Sequence, residues 1–415
     1  MDGEATLVLL RAFVVLVGAT AAVSLVARRF GVPDTVALVG FGLIAGALLR
    51  PAEFEIPSEL VLSVLLPGLI FEAAYHIEFR HLRSTMIAVG ILAVPGVFVV
   101  AVVVAFVLKS AVGLDLAVGL VVGAIVAATD PAAVIASFKR RGAPRRLSTL
   151  VEAESLFNDG TGIVLFTIAV AAVAQPIDPL AGAATFVWIV LASSLIGLAA
   201  GWVASRLIVR VGDHLVELTI SLALAYGSAL AAEAVHLSGI IAAATAGLTL
   251  GNYGRSIGLG RATIEALDTV WEFLAFLLTA LVFLLVGITI PIGALIGSLV
   301  AIGWAIVAVQ AGRALIVYGL VGTAAWFLRG RGGSAVSRAW KHVVFWSGLR
   351  GAVSVALALA LPPDFPQRQL VQEIVFGVVL FTIGVQATTV DDLLARLGIG
   401  PRANRAAAPA TTPTE

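Results

Sequence analysis

The chain has 415 residues, of which 60% are hydrophobic and 12% are charged, and its mean hydropathy is +1.07. Soluble globular proteins carry about 25% charged residues, so this composition excludes an ordinary soluble protein. The chain has no cysteine, which excludes disulfides and thiolate metal sites, and its net charge of +1 gives no indication of nucleic-acid binding. Apolar runs of about 20 residues recur along the whole chain and predict an all-α polytopic membrane protein.

Thirteen candidate transmembrane spans, called spans one to thirteen below, follow from these apolar runs. The first run begins after the acidic Met1–Glu4 segment, which is unlike a signal peptide, so we expect it to be retained as a helix. In chain order the predicted spans cover residues 5–27, 33–49, 58–77, 84–108, 114–138, 149–174, 182–209, 214–233, 236–251, 264–290, 295–328, 342–361 and 370–395.

The basic residues give these spans an orientation. With the N-terminus outside and the C-terminus in the cytoplasm, twenty of the 26 Lys and Arg residues fall on the inside, and only Arg50, Lys109 and Arg368 fall on the outside. This asymmetry is the positive-inside pattern of a multi-pass protein of the cell membrane. Residues 1–398 are therefore predicted to form the membrane domain, and residues 399–415, rich in Ala, Pro and Thr, a disordered cytoplasmic tail.

Spans five and twelve are predicted to be interrupted helices. Span five contains Thr129–Asp130–Pro131, and a proline inside a helix removes one hydrogen bond and clashes with the preceding turn. Span twelve contains Gly348–Leu349–Arg350–Gly351, in which two glycines flank a charge in the middle of the span. Interrupted helices at corresponding places in two halves are typical of inverted-repeat transporters, and predict two six-helix repeats, spans 1–6 and 8–13, with an ion site between them.

Span six carries the strongest functional signal, the run Glu154–Ser155–Leu156–Phe157–Asn158–Asp159. A charged side chain at the centre of a bilayer costs about 2.5–3.5 kcal/mol on insertion scales, and by default marks an ion or proton pathway. Ser155 and Asp159 lie four residues apart on one stripe of the helix and are assigned to the ion cavity. Glu154 is assigned to an ion pair with Arg350, because an unpaired buried charge is the costliest arrangement.

Four spans place polar groups at a common depth near the middle of the membrane. At 1.5 Å per helical residue, Asp159, Asp130, Arg350 and Glu72 each lie roughly 10–15 Å from the cytoplasmic end of their span. Such agreement predicts that these groups converge on one site.

These motifs resemble the monovalent cation/proton antiporter-1 family, whose prokaryotic members include the NhaP-type sodium/proton antiporters. The resemblance rests on Thr129–Asp130–Pro131, the run from Glu152 to Gly160 and Gly348–Leu349–Arg350–Gly351–Ala352–Val353–Ser354, with Leu285–Val286–Gly287 in span ten. The family pattern has Gly where this chain has Ala153.

The resemblance implies thirteen helices, a mobile core bundle, a dimerisation bundle and a homodimer. It implies that the Asp after the Asn, here Asp159 after Asn158, carries sodium and protons in turn. It further implies that Ser155, Thr129 and Glu72 are ion ligands, with Asp130 beside them, and that Glu154 and Arg350 form a structural ion pair. The Asn in front of the Asp is associated with electroneutral exchange.

The sequence therefore predicts a secondary transporter that exchanges Na⁺, or Li⁺, for H⁺ by competition at Asp159, with no cofactor and with membrane lipids as neighbours. Two alternatives stay open at this level, a K⁺/H⁺ antiporter with the same residues and a passive cation channel, of which the broken helices favour a carrier. No His-Glu-x-x-His motif or phosphate-binding loop is present in the sequence, so we do not expect an enzyme.

Overall fold

The computed structural model describes residues 3–49, 60–175, 178–323 and 336–400, and within these ranges the chain is helical with no β-strand. The first nine helices are α1 (Gly3–Phe30), α2 (Asp34–Leu49), α3 (Leu66–His76), α4 (Phe79–Ala93), α5 (Pro95–Val112), α6 (Leu116–Ala127), α7 (Ala132–Arg141), α8 (Arg145–Ala174) and α9 (Pro179–Val211). The remaining helices are α10 (His214–Glu233), α11 (Gly239–Thr249), α12 (Arg261–Thr289), α13 (Ile292–Leu295), α14 (Leu299–Ala314), α15 (Arg338–Trp346), α16 (Ala352–Leu359), α17 (Arg368–Phe381) and α18 (Ala387–Arg396).

Several of these helices continue into π-helical turns. Such turns precede α3, follow α11 and α14, and join α17 to α18, at Leu60–Leu65, Leu250–Gly254, Leu315–Leu320 and Thr382–Gln386. With these turns included, the described helices lie over all thirteen predicted spans. Eight of the described segments, some of which join two or more helices, are long and apolar enough to cross a bilayer. The all-α membrane fold predicted from the hydropathy pattern is thus confirmed.

Both predicted helix breaks are present. In span five α6 ends at Ala127 and α7 begins at Ala132. Pro131 lacks the N–H that a continuous helix needs, and its ring disfavours the helical conformation of Asp130. In span twelve α15 ends at Trp346 and α16 begins at Ala352, so the break covers Ser347–Gly351.

The helices pack in two groups. In the first, α4 packs against α8, α6 against α5 and α8, and α14 against α5 and α17. In the second, α2 packs against α12, and α11 packs against α3, α9 and α10. We call the first group bundle A (α4–α8 and α13–α18) and the second bundle B (α1–α3 and α9–α12). Both broken spans belong to bundle A.

The predicted tail, residues 399–415, falls almost entirely outside the described residues. Only Ile399 and Gly400 of that segment are described, and Ile399 is buried.

Candidate cation site

The two broken spans cross each other at their breaks. The amide of Asp130 donates to the carbonyl of Leu349 at 2.9 Å, which ties one unwound segment directly to the other. The Ser354 hydroxyl donates to the Ile125 carbonyl at 2.9 Å, so α16 also holds the end of α6. The crossing therefore satisfies backbone groups that the breaks release inside the membrane.

Asp130 lies at the beginning of both half-helices that leave the crossing. Its Oδ1 accepts a hydrogen bond from the Ala132 amide at 3.0 Å, at the start of α7, and the amide of Ala352, at the start of α16, also faces this carboxylate. Helix N-termini carry partial positive charge, so one carboxylate stabilises two of them at once. A direct contact between Asp130 and the transported ion stays a prediction.

Two buried arginines stabilise the C-terminal ends of the other two half-helices. Arg350, with 1% of its surface exposed, donates through Nε to the Val126 carbonyl in the last turn of α6. Arg313 on α14 donates through Nε to the carbonyl of Phe345 at 2.9 Å, in the last turn of α15. Helix C-termini carry partial negative charge, so each guanidinium neutralises one of them.

The structure corrects the predicted ion pair of Glu154. This carboxylate pairs with Arg313, at 2.7 Å from Nη1 and 3.2 Å from Nη2, and not with Arg350. Arg350 instead directs Nε and Nη1 to the carbonyls of Val126 and Gly348. Arg313 presents two parallel N–H groups to the carboxylate, the bidentate geometry that an arginine–carboxylate pair favours.

Helix α8 brings Ser155, Asn158 and Asp159 to the break in span five. Asn158 Oδ1 accepts from the Thr129 amide at 3.2 Å, and its Nδ2 donates to the Thr129 hydroxyl at 2.7 Å. The Ser155 hydroxyl donates to the Thr129 carbonyl. The structure thus brings together Thr129, Ser155 and Asn158, three of the residues singled out by the sequence, and encloses them in the core.

At this site Asp159 has a carboxylate oxygen that is available to bind a ligand. Only 6% of its surface is exposed, and its Oδ1 is buried without a hydrogen-bond partner among the described residues. The charges nearest to it are the Asp130 carboxylate and the Arg350 guanidinium. A buried carboxylate oxygen without a donor is a suitable ligand for a proton or a hard cation.

Glu72 does not contact Asp159 in this structure. Its Oε1 lies 3.1 Å from Nδ1 of His76 on the same helix, and its charge acts on the Glu152 carboxyl of α8. Glu152 lies seven residues before Asp159, which corresponds to about 10 Å along the helix. The ligand role of Glu72 therefore stays a prediction.

Two contributors to the site were not assigned from the sequence. Arg313 is a charge inside span eleven, but the sequence does not identify Glu154 as its partner. Thr382 accepts from the Arg350 amide at 3.0 Å through Oγ1, and lies where α17 passes into its π-helical turn. A lone threonine in an apolar span gives no sequence signal of its own.

Comparison with known proteins agrees with this geometry. Residues 13–396 match the family model described as "Sodium/hydrogen exchanger, transmembrane".

The chain belongs to the sodium/hydrogen exchanger family. Among exchangers of this family, the Na⁺/H⁺ antiporter ApNhaP of Aphanothece halophytica is 40% identical over 375 residues, covering 89% of this chain and 70% of that protein. The Na⁺/H⁺ antiporter NhaH of Halobacillus dabanensis is 34% identical, covering 92% and 96% respectively.

A solved structure extends the family likeness to the fold. The sodium proton antiporter MjNhaP1 of Methanocaldococcus jannaschii, determined at pH 8, superposes with a TM-score of 0.75 over 94% of this chain and 99% of that one. At 22% sequence identity this match establishes the exchanger fold.

Proposed function

We propose that this protein exchanges Na⁺ for H⁺ across the cell membrane, with Asp159 as the carrier of both. The observation that supports this most directly is the Asp159 carboxylate, buried at the crossing of two broken helices with one oxygen free of hydrogen bonds. Family membership and the similarity to ApNhaP, a Na⁺/H⁺ antiporter that is 40% identical, support the same assignment.

The ligand set is one that sodium can use. Sodium is a hard cation and prefers oxygen ligands, as the hard divalent ions do. Asp159 and the hydroxyls of Ser155 and Thr129 supply these oxygens, and Asn158 holds Thr129 in place. Glu72 would join the set only after a movement that frees it from His76. Asp130 contributes negative potential from the crossing.

The charges at the crossing explain why the carrier moves only when it is occupied. Three carboxylates and two guanidiniums lie at the crossing, those of Asp130, Glu154, Asp159, Arg313 and Arg350. When all five groups are ionised, one excess negative charge remains. One Na⁺ or one H⁺ on Asp159 removes that excess. Moving an uncompensated charge through hydrocarbon is costly, so the empty state is held back and the loaded states cross.

The stoichiometry that follows is one Na⁺ for one H⁺, which is electroneutral. Bundle A, which holds the site, moves against bundle B to expose Asp159 to each side in turn. An N-terminus outside, a cytoplasmic C-terminus and a homodimer surrounded by lipid belong to the same proposal. Exchange that accelerates under an imposed membrane potential would contradict the electroneutral stoichiometry.

Asp159→Asn tests the carrier role. We expect sodium-driven proton movement to be abolished, because an amide neither binds a proton near neutral pH nor offers a full negative charge to a cation. The measurement is fluorescence of a pH dye in proteoliposomes after additions of Na⁺, Li⁺ and K⁺. The matched control is Asp364→Asn, which neutralises an exposed carboxylate outside the site.

The outcomes separate the alternatives. Sodium-dependent proton movement in Asp159→Asn at the wild-type rate would refute the carrier role. Wild-type flux driven by K⁺ and not by Na⁺ would make the protein a K⁺/H⁺ antiporter, and cation flux without saturation or proton coupling would make it a channel.

A further inference from the structure

Asn252 makes an unusual set of contacts at the joint between α3 and α4. Its Oδ1 accepts a hydrogen bond from the Phe79 amide at 2.7 Å, and its Nδ2 donates to the Ile77 carbonyl at 2.9 Å. Nδ2 also donates to the Leu248 carbonyl on its own helix at 2.9 Å. Both amide hydrogens and the amide oxygen of this one side chain are therefore in use.

These contacts supply partners that the two helix ends lack. The Ile77 carbonyl lies just beyond the last residue of α3, and the Phe79 amide is the first of α4. Helix ends leave such groups without intrahelical partners, and the residue before α4, Glu78, makes no capping hydrogen bond with its side chain. Asn252 thus caps both helices from a third helix, 173 residues away in sequence from Phe79.

The position of Asn252 is fixed by its own surroundings. It lies in the π-helical turn Leu250–Gly254, and π turns within α-helices frequently mark functional positions. A Cβ added to Gly251 would collide with the Tyr75 carbonyl, so the backbones of this turn and of α3 are in direct contact. Asn252 is therefore a rigid extension of bundle B.

The joint lies where the two bundles meet. Helix α3 packs against α11 in bundle B, whereas α4 packs against α8 in bundle A, and only the extended residues Ile77 and Glu78 separate α3 from α4. A cavity of about 300 Å³ opens beside the joint, lined by Glu78, Arg80 and Arg255 among others. This space leaves room for α4 to change its angle.

We propose that Asn252 is a positioning residue that fixes the pivot between the two bundles. It holds the end of α3 and the start of α4 against α11, so that bundle A rotates about Ile77–Phe79 while the pivot itself stays in place. The inference rests on the proposed exchange function, because it assumes that bundle A moves during transport. Asn252 is not assigned a contact with the ion.

Asn252→Ala tests the pivot with two independent measurements. In hydrogen–deuterium exchange of the purified protein, peptides covering residues 77–82 should lose protection, because the Phe79 amide loses its acceptor. In proteoliposomes the maximal exchange rate should fall about tenfold, the size expected from losing one or two hydrogen bonds, while the Na⁺ KM stays within about twofold. A residue with a purely structural role in the site would change KM as well.

Two further variants make the outcome decisive. Ser256→Ala removes a neighbouring hydrogen bond internal to its own helical turn, to the Tyr253 carbonyl at 2.8 Å, and should change neither measurement. Asn252→Asp keeps the acceptor for Phe79 and loses both donations, so it should lie between wild type and Asn252→Ala in both measurements. If the Asn252→Ala variant does not fold, the Asn252→Asp variant tests the proposal in its place.

A wild-type rate with unchanged protection at residues 77–82 would overturn the proposal, as would a raised KM with an unchanged maximal rate. Failure of the exchange function itself would appear differently. The wild-type protein would then show no sodium-driven proton movement, while the loss of protection in Asn252→Ala would persist.

Discussion

Arg313 and Glu154 form a buried ion pair, and we expect the substitution of either residue to have the largest effect on stability of any single substitution. Both side chains are nearly fully buried, at 6% and 2% exposed, and they meet in a bidentate contact. Removing one partner of a buried ion pair leaves the other charge without compensation, which typically costs about 3–5 kcal/mol. The sequence predicted that Arg350 is the partner of Glu154. In the structure the partner is Arg313, so the cost is expected when Arg313 is removed.

Arg313→Gln should therefore lower the free energy of unfolding by about 3–5 kcal/mol, because Glu154 is stranded and the end of α15 loses a donor. The measurement is thermal unfolding of the purified protein in detergent. Adding Glu154→Gln to this variant should restore part of the loss, since no buried charge then remains unpaired. Arg210→Gln, which removes an exposed arginine in the last turn of α9, is the control. Equal melting temperatures for Arg313→Gln and the control would contradict the pairing.

At the scale of elements, the ends of the broken helices are stabilised together at their crossing, the N-terminal ends by one side chain and the C-terminal ends by two others. Two N-terminal ends share Asp130, while the two C-terminal ends are served by Arg350 and Arg313. The unwound segments are tied by the bond from Asp130 to Leu349. This arrangement keeps non-helical backbone at membrane depth satisfied, and it is the reason that Thr129 can face Asp159.

Gly351→Ala should damage this crossing. A Cβ at Gly351 would overlap the Asp130 side chain, including its Cβ, so the clash cannot be relieved by rotating a flexible end. We expect a loss of about 1–3 kcal/mol in stability, the usual range for overpacking, together with strongly reduced exchange.

Gly384→Ala is the matched control for this substitution, because a Cβ at Gly384 meets nothing within 4 Å. Thermal unfolding and proteoliposome exchange measured on both variants give the comparison. Similar behaviour of the two would show that the crossing tolerates a methyl group and that Gly351 is not required there.

At the scale of the whole molecule, two groups of helices pack against each other, and the buried Asp159 carboxylate lies in one of them. The site lies inside bundle A, and α3 and α2 of bundle B pack against α8 and α7 of bundle A. On the proposed function, Asp159 binds a cation only when its carboxylate is ionised. Proton and sodium concentrations therefore act on the same equilibrium in opposite directions.

The pH dependence of sodium affinity follows from that competition. Where protons compete effectively, lowering the pH by one unit should raise the Na⁺ KM about tenfold, because the ligand must be deprotonated to bind the ion. The maximal rate at saturating Na⁺ should change much less. Initial rates of ²²Na⁺ uptake at several pH values would measure both quantities. A Na⁺ KM that is constant across pH would contradict a shared carboxylate.

The sequence alone determined much of this protein. Hydropathy located the thirteen helical segments, because the bilayer requires about 20 apolar residues for each crossing. Pro131 and the glycines around Arg350 located both helix breaks, because backbone chemistry acts locally. The polar residues of span six indicated the site, since charge inside a membrane is too costly to be incidental.

Tertiary structure alone decided which of these groups contact one another. Arg313 and Arg350 are both buried cations, and only the folded chain shows that Glu154 pairs with Arg313. In the same way, the partnership of Asn252 with Ile77 and Phe79 spans more than 170 residues and leaves no local pattern. Periodicity and composition indicate which face of each helix is exposed to lipid or water. Ion pairs and caps between helices depend on the relative positions of the helices, which only the folded chain defines.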